Sequence, residues 1–254
     1  MLKSNSKIMI KKLVPIMLCF AIFACLTAGC TFKPFQLLSS GENHYEIGKI
    51  SKHTVKGNTT FAFDIFRQVN KEDRNKNIFI SPLSISTALT MTYQGAKTTT
   101  KEAMAKALGY SGIENEELNG SYKNLLRYLA QVDNKVELNI GNSIWIRDGE
   151  EIEESFITIN KDIFKALAKE LDFSKASAVD EINKWISDAT ENKIEKMIEP
   201  PISPDVVMYL INAIYFKGDW SRQFDPKRTY DAQFNEGSGD TGGIKMMSLN
   251  GEVE

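Results

Sequence analysis

Imidazole and thiol are scarce in this 254-residue chain. It holds two His, His44 and His53, and three Cys, Cys19, Cys25 and Cys30, so everything after residue 53 works without either group. A zinc site built on His and Cys has no ligands over that stretch. A Ser–His–acid triad would have to use histidines that fall in an expected tether, away from any rigid element that could orient them. An excess of one charge is lacking too. The 31 basic and 33 acidic residues give a net charge of −2, without the basic surplus of a phosphate-backbone binder, which excludes nucleic acid as a partner. What is present, 42% hydrophobic and 25% charged residues, is the composition of a globular chain rather than a disordered, collagenous or coiled-coil one.

The first 29 residues read as an address. Lys3, Lys7, Lys11 and Lys12 precede an uncharged run from Leu13 to Gly29, which closes on Leu26-Thr27-Ala28-Gly29-Cys30. A charged start, an apolar centre and small residues before a cut make a signal-peptide pattern. A transmembrane anchor fits less well, because spanning takes roughly 20 apolar residues and this run of 17 includes Pro15. Small residues before Cys30 resemble the lipobox of bacterial lipoproteins, in which the cysteine becomes the acylated first residue. Thr27 stands where Leu is commonest, and Ile22-Phe23-Ala24-Cys25 is a weaker second site. Cleavage before Cys30 leaves 225 residues with 27 basic and 33 acidic side chains, a net charge of −6, and no second thiol for a disulfide. An exported chain of that kind relies on core burial, which favours one sizeable core. Residues 30–57 are expected to be a tether, and 58–254 the body.

Helix and strand patterns alternate through the body. Asn58-Thr59-Thr60 is expected to open a helix with Phe61, Ile65, Phe66 and Val69 on one side. Asn77–Ser81 reads as a short apolar strand running into Ser81-Pro82, an N-cap serine with proline at the first helical position. That helix should stop at Gly95. Thr99-Thr100-Lys101-Glu102 has the form of a capping box, and Gly109 ends the helix it opens. A further helix carries Leu118, Tyr122, Leu125, Leu126 and Leu129. From Val136 to Arg147 apolar and polar residues alternate with period two, a long strand. Helices are expected over Phe156–Leu167 and Val179–Ala189. Val206–Phe216 is nearly all apolar and should be a strand covered on both faces. Helices first and long strands later imply an α+β fold around one large sheet.

Few residues propose themselves for chemistry. Gly237-Ser238-Gly239-Asp240-Thr241-Gly242 matches a dinucleotide fingerprint by letter, but no helical pattern follows it, so it reads as a glycine-rich turn between strands. Glu150, Glu151, Glu153 and Glu154 gather at a helix start, where acids suit the positive end of the dipole. Polarity inside apolar segments is less usual. Ser81, Ser84, Ser86, Thr87, Thr90 and Thr92 line an otherwise apolar helix, and Asn212 interrupts the strand Val206–Phe216. An unpartnered buried Asn costs about 1–3 kcal/mol, so Asn212 needs partners, and short hydroxyls at a helix start can supply them. It reads either as a satisfied core residue or as a polar latch where strands must part.

Together, Asn77-Ile78-Phe79-Ile80-Ser81-Pro82-Leu83-Ser84-Ile85, Gly95-Ala96-Lys97-Thr98, Leu108-Gly109, Leu210 through Trp220, Phe224-Asp225-Pro226 and Lys245-Met246-Met247 resemble the serpin family in order and spacing. The resemblance runs from about Asn58 to the last residue. It implies a serpin-like fold with N-terminal helices and a large central sheet. It also implies a metastable, monomeric serine-type endopeptidase inhibitor with no catalysis of its own and no cofactor. Its partner would be a serine or cysteine protease, held covalently once a bait loop is cleaved and inserts into the sheet. By resemblance, Ser81, Ser84 and Asn212 fall on the shutter beneath the opening sheet and Trp220 on the breach where insertion begins. Cys30 is the candidate lipidation residue, placing the protein outside the cell or on its surface, with membrane contact only through that anchor.

In the family the reactive loop, its hinge and the last strands follow the region matched here, so the reactive site is expected to be absent from this chain, a truncated or frameshifted reading of a longer serpin. The alternative is a non-inhibitory serpin-like surface protein acting as chaperone, carrier or adhesin. A polyanion-binding face does not follow from Lys123 and Arg127, which stand among Glu114, Glu116 and Glu117.

Overall fold

Ser51 sets where the first helix begins. The computed structural model describes residues 45–249 apart from 75 and 238, all within one unit, 35–254, so the expected signal peptide, Cys30 and His44 lie outside the described residues. After a 3₁₀ turn at Ile47–Lys49, helix α1 spans Lys52–Glu72. The Ser51 hydroxyl accepts from the His53 and Thr54 amides at 3.1 and 3.4 Å, satisfying donors that have no partner inside the helix. The helix therefore starts six residues before Asn58. Residues 52–57, assigned to the tether on sequence grounds, form its first turns.

Helix α2, Pro82–Tyr93, starts as its sequence indicates: Pro82 is at the first position and the Ser81 hydroxyl accepts from Ser84 N–H at 3.3 Å. The capping box at Thr99 does not form. Helix α3 spans Thr98–Leu108 with Lys97 as its N-cap and no side-chain cap bond. Its far end closes on Gly109, left-handed at φ 74°, with Tyr110 N–H reaching Ala105 C=O at 2.7 Å and Gly109 N–H reaching Lys106 C=O at 3.3 Å. Helix α4 is Asn115–Leu129.

Strand β1, Val136–Arg147, is the middle of a three-stranded sheet ordered β2-β1-β3. Helix α5, Glu154–Phe164, ends earlier than the expected Leu167, and Leu167–Leu171 is strand β2, parallel to β1. Leu-Ala-Lys-Glu-Leu has no strand pattern of its own, so tertiary pairing overrides local preference there. Helix α6 is Ala176–Ala189, and β3, Met208–Gly218, runs antiparallel to β1. β3 is not covered on both faces as expected: only Ile211 and Ala213 are buried, and Phe216 is 68% exposed. The expected strand at Asn77–Ser81 is absent too. This extended segment pairs with no strand among the described residues, and Phe79 is fully exposed. After a 3₁₀ turn at Pro226–Arg228, β4, Tyr230–Asn235, and β5, Thr241–Met246, form an antiparallel hairpin, with Gly237 and Gly239 in the connection and Thr241 and Gly242 already in β5.

The alternation of β1 builds two cores. Ile144 and Ile146 join Met91, Leu118, Tyr122, Phe156 and Phe164 on the face covered by α2, α4 and α5. Trp145 joins Val179, Ile182, Trp185, Ile186, Ile211 and Ala213 on the face covered by α6. Among the described residues, β1 is thus the one strand buried on both sides.

Gly57 on α1 and Gly109 bring two backbones together. A Cβ on Gly57 would sit 2.5 Å from Gly109 O, and one on Gly109 would sit 2.7 Å from Gly57 Cα. Gly57→Ala is expected to lower stability by about 1–3 kcal/mol through this overpacking, read as a lower urea midpoint at unchanged slope; an unchanged midpoint would show that the backbones can separate freely.

Candidate functional site

The polar residues of α2, β1 and β3 meet in one chain of hydrogen bonds. Antiparallel register sets Asn142 of β1 opposite Asn212 of β3. Ser84, in the first turn of α2, donates its hydroxyl to Asn212 Oδ1. Asn212 Nδ2 donates to Asn142 Oδ1 at 2.7 Å, and Asn142 Nδ2 donates to the Phe164 carbonyl at the end of α5 at 2.8 Å. Two helices and two strands are tied together by side-chain bonds within a largely apolar layer, where each bond gains from the low local dielectric. Sequence reading singled out Ser84 and Asn212 but passed over Asn142. Only the pairing register reveals it, since Asn142 is an ordinary member of an alternating strand.

The remaining sequence candidates are not in this chain. Ser81 acts as the N-cap of α2 through Ser84 N–H. Trp220 lies two residues past β3, 66% exposed, its ring edge-on to Phe224 at 5.3 Å. It stands eight positions after Asn212, at most roughly 27 Å of extended backbone.

A second polar cluster lies between the helices. Asn58 Oδ1 accepts from the Tyr110 and Tyr122 hydroxyls, both at 3.0 Å; these hydroxyls lie 2.6 Å apart, and Thr90 Oγ1 lies 2.9 Å from that of Tyr110. Burial, and then the neighbouring Tyr122, push the Tyr110 phenol far above its ordinary range. Because its proton is held more tightly in the folded state, Tyr110 supports folding fully below about pH 10, and that contribution is lost as pH climbs above it.

His53 does not lie in a tether. It is the second residue of α1, and its Nδ1 is 3.5 Å from Glu117 Oε1, which also accepts the Ser51 hydroxyl at 2.5 Å. Serine, histidine and acid converge here, yet the imidazole faces Glu117 rather than the serine oxygen it would need to deprotonate. Among the described residues no group of three or more His, Cys, Asp or Glu is placed to hold a metal ion, and no helix is long and apolar enough to cross a membrane.

β3 forms one side of the sheet, and its outer edge has no partner strand among the described residues. Arg147 N–H reaches Val207 C=O at 2.9 Å. With the register known, alternation then turns the main-chain groups of Leu210, Asn212 and Ile214 toward that outer edge. Asn212, bonded through its side chain to Ser84 and Asn142, thus also presents its backbone on the unpaired edge.

Comparison with known proteins places this arrangement. The family model Serpin (serine protease inhibitor) matches residues 56–254. Serpin A3-2 of Bos taurus is 31% identical over 209 residues, covering 81% of this chain and 51% of the relative. The ovalbumin structure from emu (Dromaius novaehollandiae) aligns with TM-score 0.71 and 25% identity over 76% of this chain and 54% of that one. Human thyroxine-binding globulin, solved as a complex with thyroxine, aligns with TM-score 0.69 and 31% identity over 78% of this chain and 54% of that one. The chain belongs to the serpin family, and it spans about half the length of the curated relatives it matches.

If the latch is a connected network, Ser84→Ala and Asn142→Ala are non-additive. Each alone should cost about 1–3 kcal/mol by orphaning a partner, and the double mutant should depart from the sum by at least 0.5 kcal/mol. Strict additivity in urea titrations would mean the bonds act independently.

Proposed function

We propose that the chain is the N-terminal portion of a serine-type endopeptidase inhibitor that works by strand insertion. The observation that carries this reading is the joining of an open edge and a polar latch at one residue, Asn212. In the whole protein a protease would cleave an exposed bait loop and form an acyl bond to it; the loop would then enter the sheet beside β3 and carry the bound protease with it. Such strand addition draws on main-chain hydrogen bonding along an edge. It also requires neighbouring elements to part. Side-chain bonds such as Ser84–Asn212 can exchange partners at lower cost than interdigitated apolar side chains can be pulled from a close-packed core.

In this reading Ser81, Ser84 and Asn212 form the shutter, with Ser81 fixing the helix start that presents Ser84, and Trp220 marks the breach. Export through residues 1–29, with acylation of Cys30, would place the inhibitor at the cell surface, where it meets extracellular serine or cysteine proteases as a monomer. A carrier function is the competing reading, since one structural relative is described in complex with thyroxine.

Incubating the whole protein with a panel of proteases should yield a complex that survives denaturing electrophoresis. Cleavage with no such complex would favour the carrier reading. Asn212→Leu, the same branched skeleton with methyl groups in place of the amide, should raise the latent or polymeric fraction after mild heating, seen by gel filtration; an unchanged monomer peak and inhibition stoichiometry would remove the shutter role.

For the address, Cys30→Ala should move the protein from the membrane fraction to the medium. Persistence in the membrane fraction would contradict acylation at that residue.

A further inference from the structure

The inward face of α1 is polar where a helix packed on a core is ordinarily apolar. Its buried positions are Thr54, Gly57 and Phe61, and Asn58 stands next to Gly57 with its amide nitrogen shielded from solvent. Residues three and four apart share one side of a helix. Thr54, Gly57, Asn58 and Phe61 therefore form one stripe, apolar only at its far end. The sequence pattern expects Asn58 to open the helix; it lies instead in the second turn, where no capping task falls to it.

Two atoms on this stripe are unmatched. Thr54 is completely buried, and among the described residues neither its Oγ1 nor Asn58 Nδ2 has a hydrogen-bond partner. Buried polar atoms are nearly always paired, because leaving one unmet is costly. Asn58 Oδ1 is already engaged, accepting from the Tyr110 and Tyr122 hydroxyls. Turning the amide over would only exchange an unmatched nitrogen for an unmatched oxygen. Nor do the two atoms satisfy each other, although their residues are one helical turn apart. Side chains at that spacing have Cβ atoms about 5–6 Å apart, a gap that two hydrogen bonds of roughly 2.8 Å through one intervening atom can bridge.

We propose that Thr54 Oγ1 and Asn58 Nδ2 together bind one internal water molecule. Water is the ligand whose chemistry fits. It can accept from the Asn58 amide and exchange a hydrogen bond with the Thr54 hydroxyl in either direction, which gives it two of the two to four polar partners that an internal water makes. An amide N–H is no ligand for a metal cation. An anion would be buried among neutral side chains, since Thr54, Asn58, Thr90, Tyr110 and Tyr122 carry no charge, and an uncompensated buried charge costs far more than a water. Gly57, between the two residues in sequence, brings no side chain to compete for the position. Through Asn58 the water extends the cluster of Tyr110, Tyr122 and Thr90, which spans α2 and α4, toward the start of α1. This inference does not depend on protease inhibition.

The sign of one substitution tests it. Thr54→Val keeps the branched shape and removes the hydroxyl, so with a bound water the unfolding constant from urea titration should rise about tenfold, because the water and Asn58 lose a partner. At a dry site the same change removes an unmet hydroxyl, and the constant falls or stays as it is; either result would overturn the proposal. High-resolution diffraction from the wild-type protein should show one density peak within hydrogen-bonding distance of both atoms, lost in Thr54→Val and kept in Thr54→Ser. Without that peak in the wild type the proposal fails, whatever the stability result. Crystals grown with bromide in place of chloride separate water from an anion: a peak with no anomalous signal is expected, and one that scatters as bromine would overturn the assignment.

Discussion

The antiparallel ladder between β1 and β3 joins eleven residue pairs, from Val136↔Gly218 to Ile146↔Met208. β1 is also where the two cores meet. Its even-numbered side chains fill the core under α2 and α5, its odd-numbered ones the core under α6. Taking Trp145 or Ile144 out of water stabilises by about 1.5–3 kcal/mol each, and both contributions require the strand to stay in place. Everything else is arranged around that strand: α6 can cover the sheet only because β1 and β3 offer it Trp145, Ile211 and Ala213 together. The latch exists only because this pairing sets one Asn opposite another.

Local signals were readable where a single stretch of chain decides the outcome. Ser81-Pro82 fixes a helix start, Gly109 a helix end, and period-two alternation from Val136 to Arg147 gives β1 its full length. The reading failed where a distant partner decides. Leu167–Leu171 is a strand because β1 lies beside it, and Asn77–Ser81, apolar enough for a strand, is not one among the described residues. Ser51 was passed over because a polar tether was expected there, although a serine before a helix is a strong cap. Asn212 stood out as an amide in an apolar run, whereas Asn142 did not, because its significance arises only at a register that joins residues 70 positions apart.

Exposed apolar groups are unevenly spread. Phe79, Phe216, Trp220 and Phe63 are each more than 60% accessible, whereas residues 141–146 of β1 are all buried. Among the described residues, neither the outer edge of β3 nor the segment before α2 has a partner strand. An edge with unpaired main-chain groups and large apolar neighbours favours association with another strand, the property a strand-inserting inhibitor would use and an isolated half of one would suffer from.

The paired asparagines also limit how the sheet can move. Sliding β3 along β1 by two residues, the smallest shift that keeps side chains on their own faces, would set Asn142 opposite Leu210 or Ile214. It would strand two amides in an apolar layer. Stepwise slippage is therefore opposed at the centre of the ladder, and β1 and β3 travel as one plate. In the proposed inhibitor, widening of the sheet would then fall on the far side of β3 rather than between β1 and β3, and it would exchange the bond from Ser84 to Asn212.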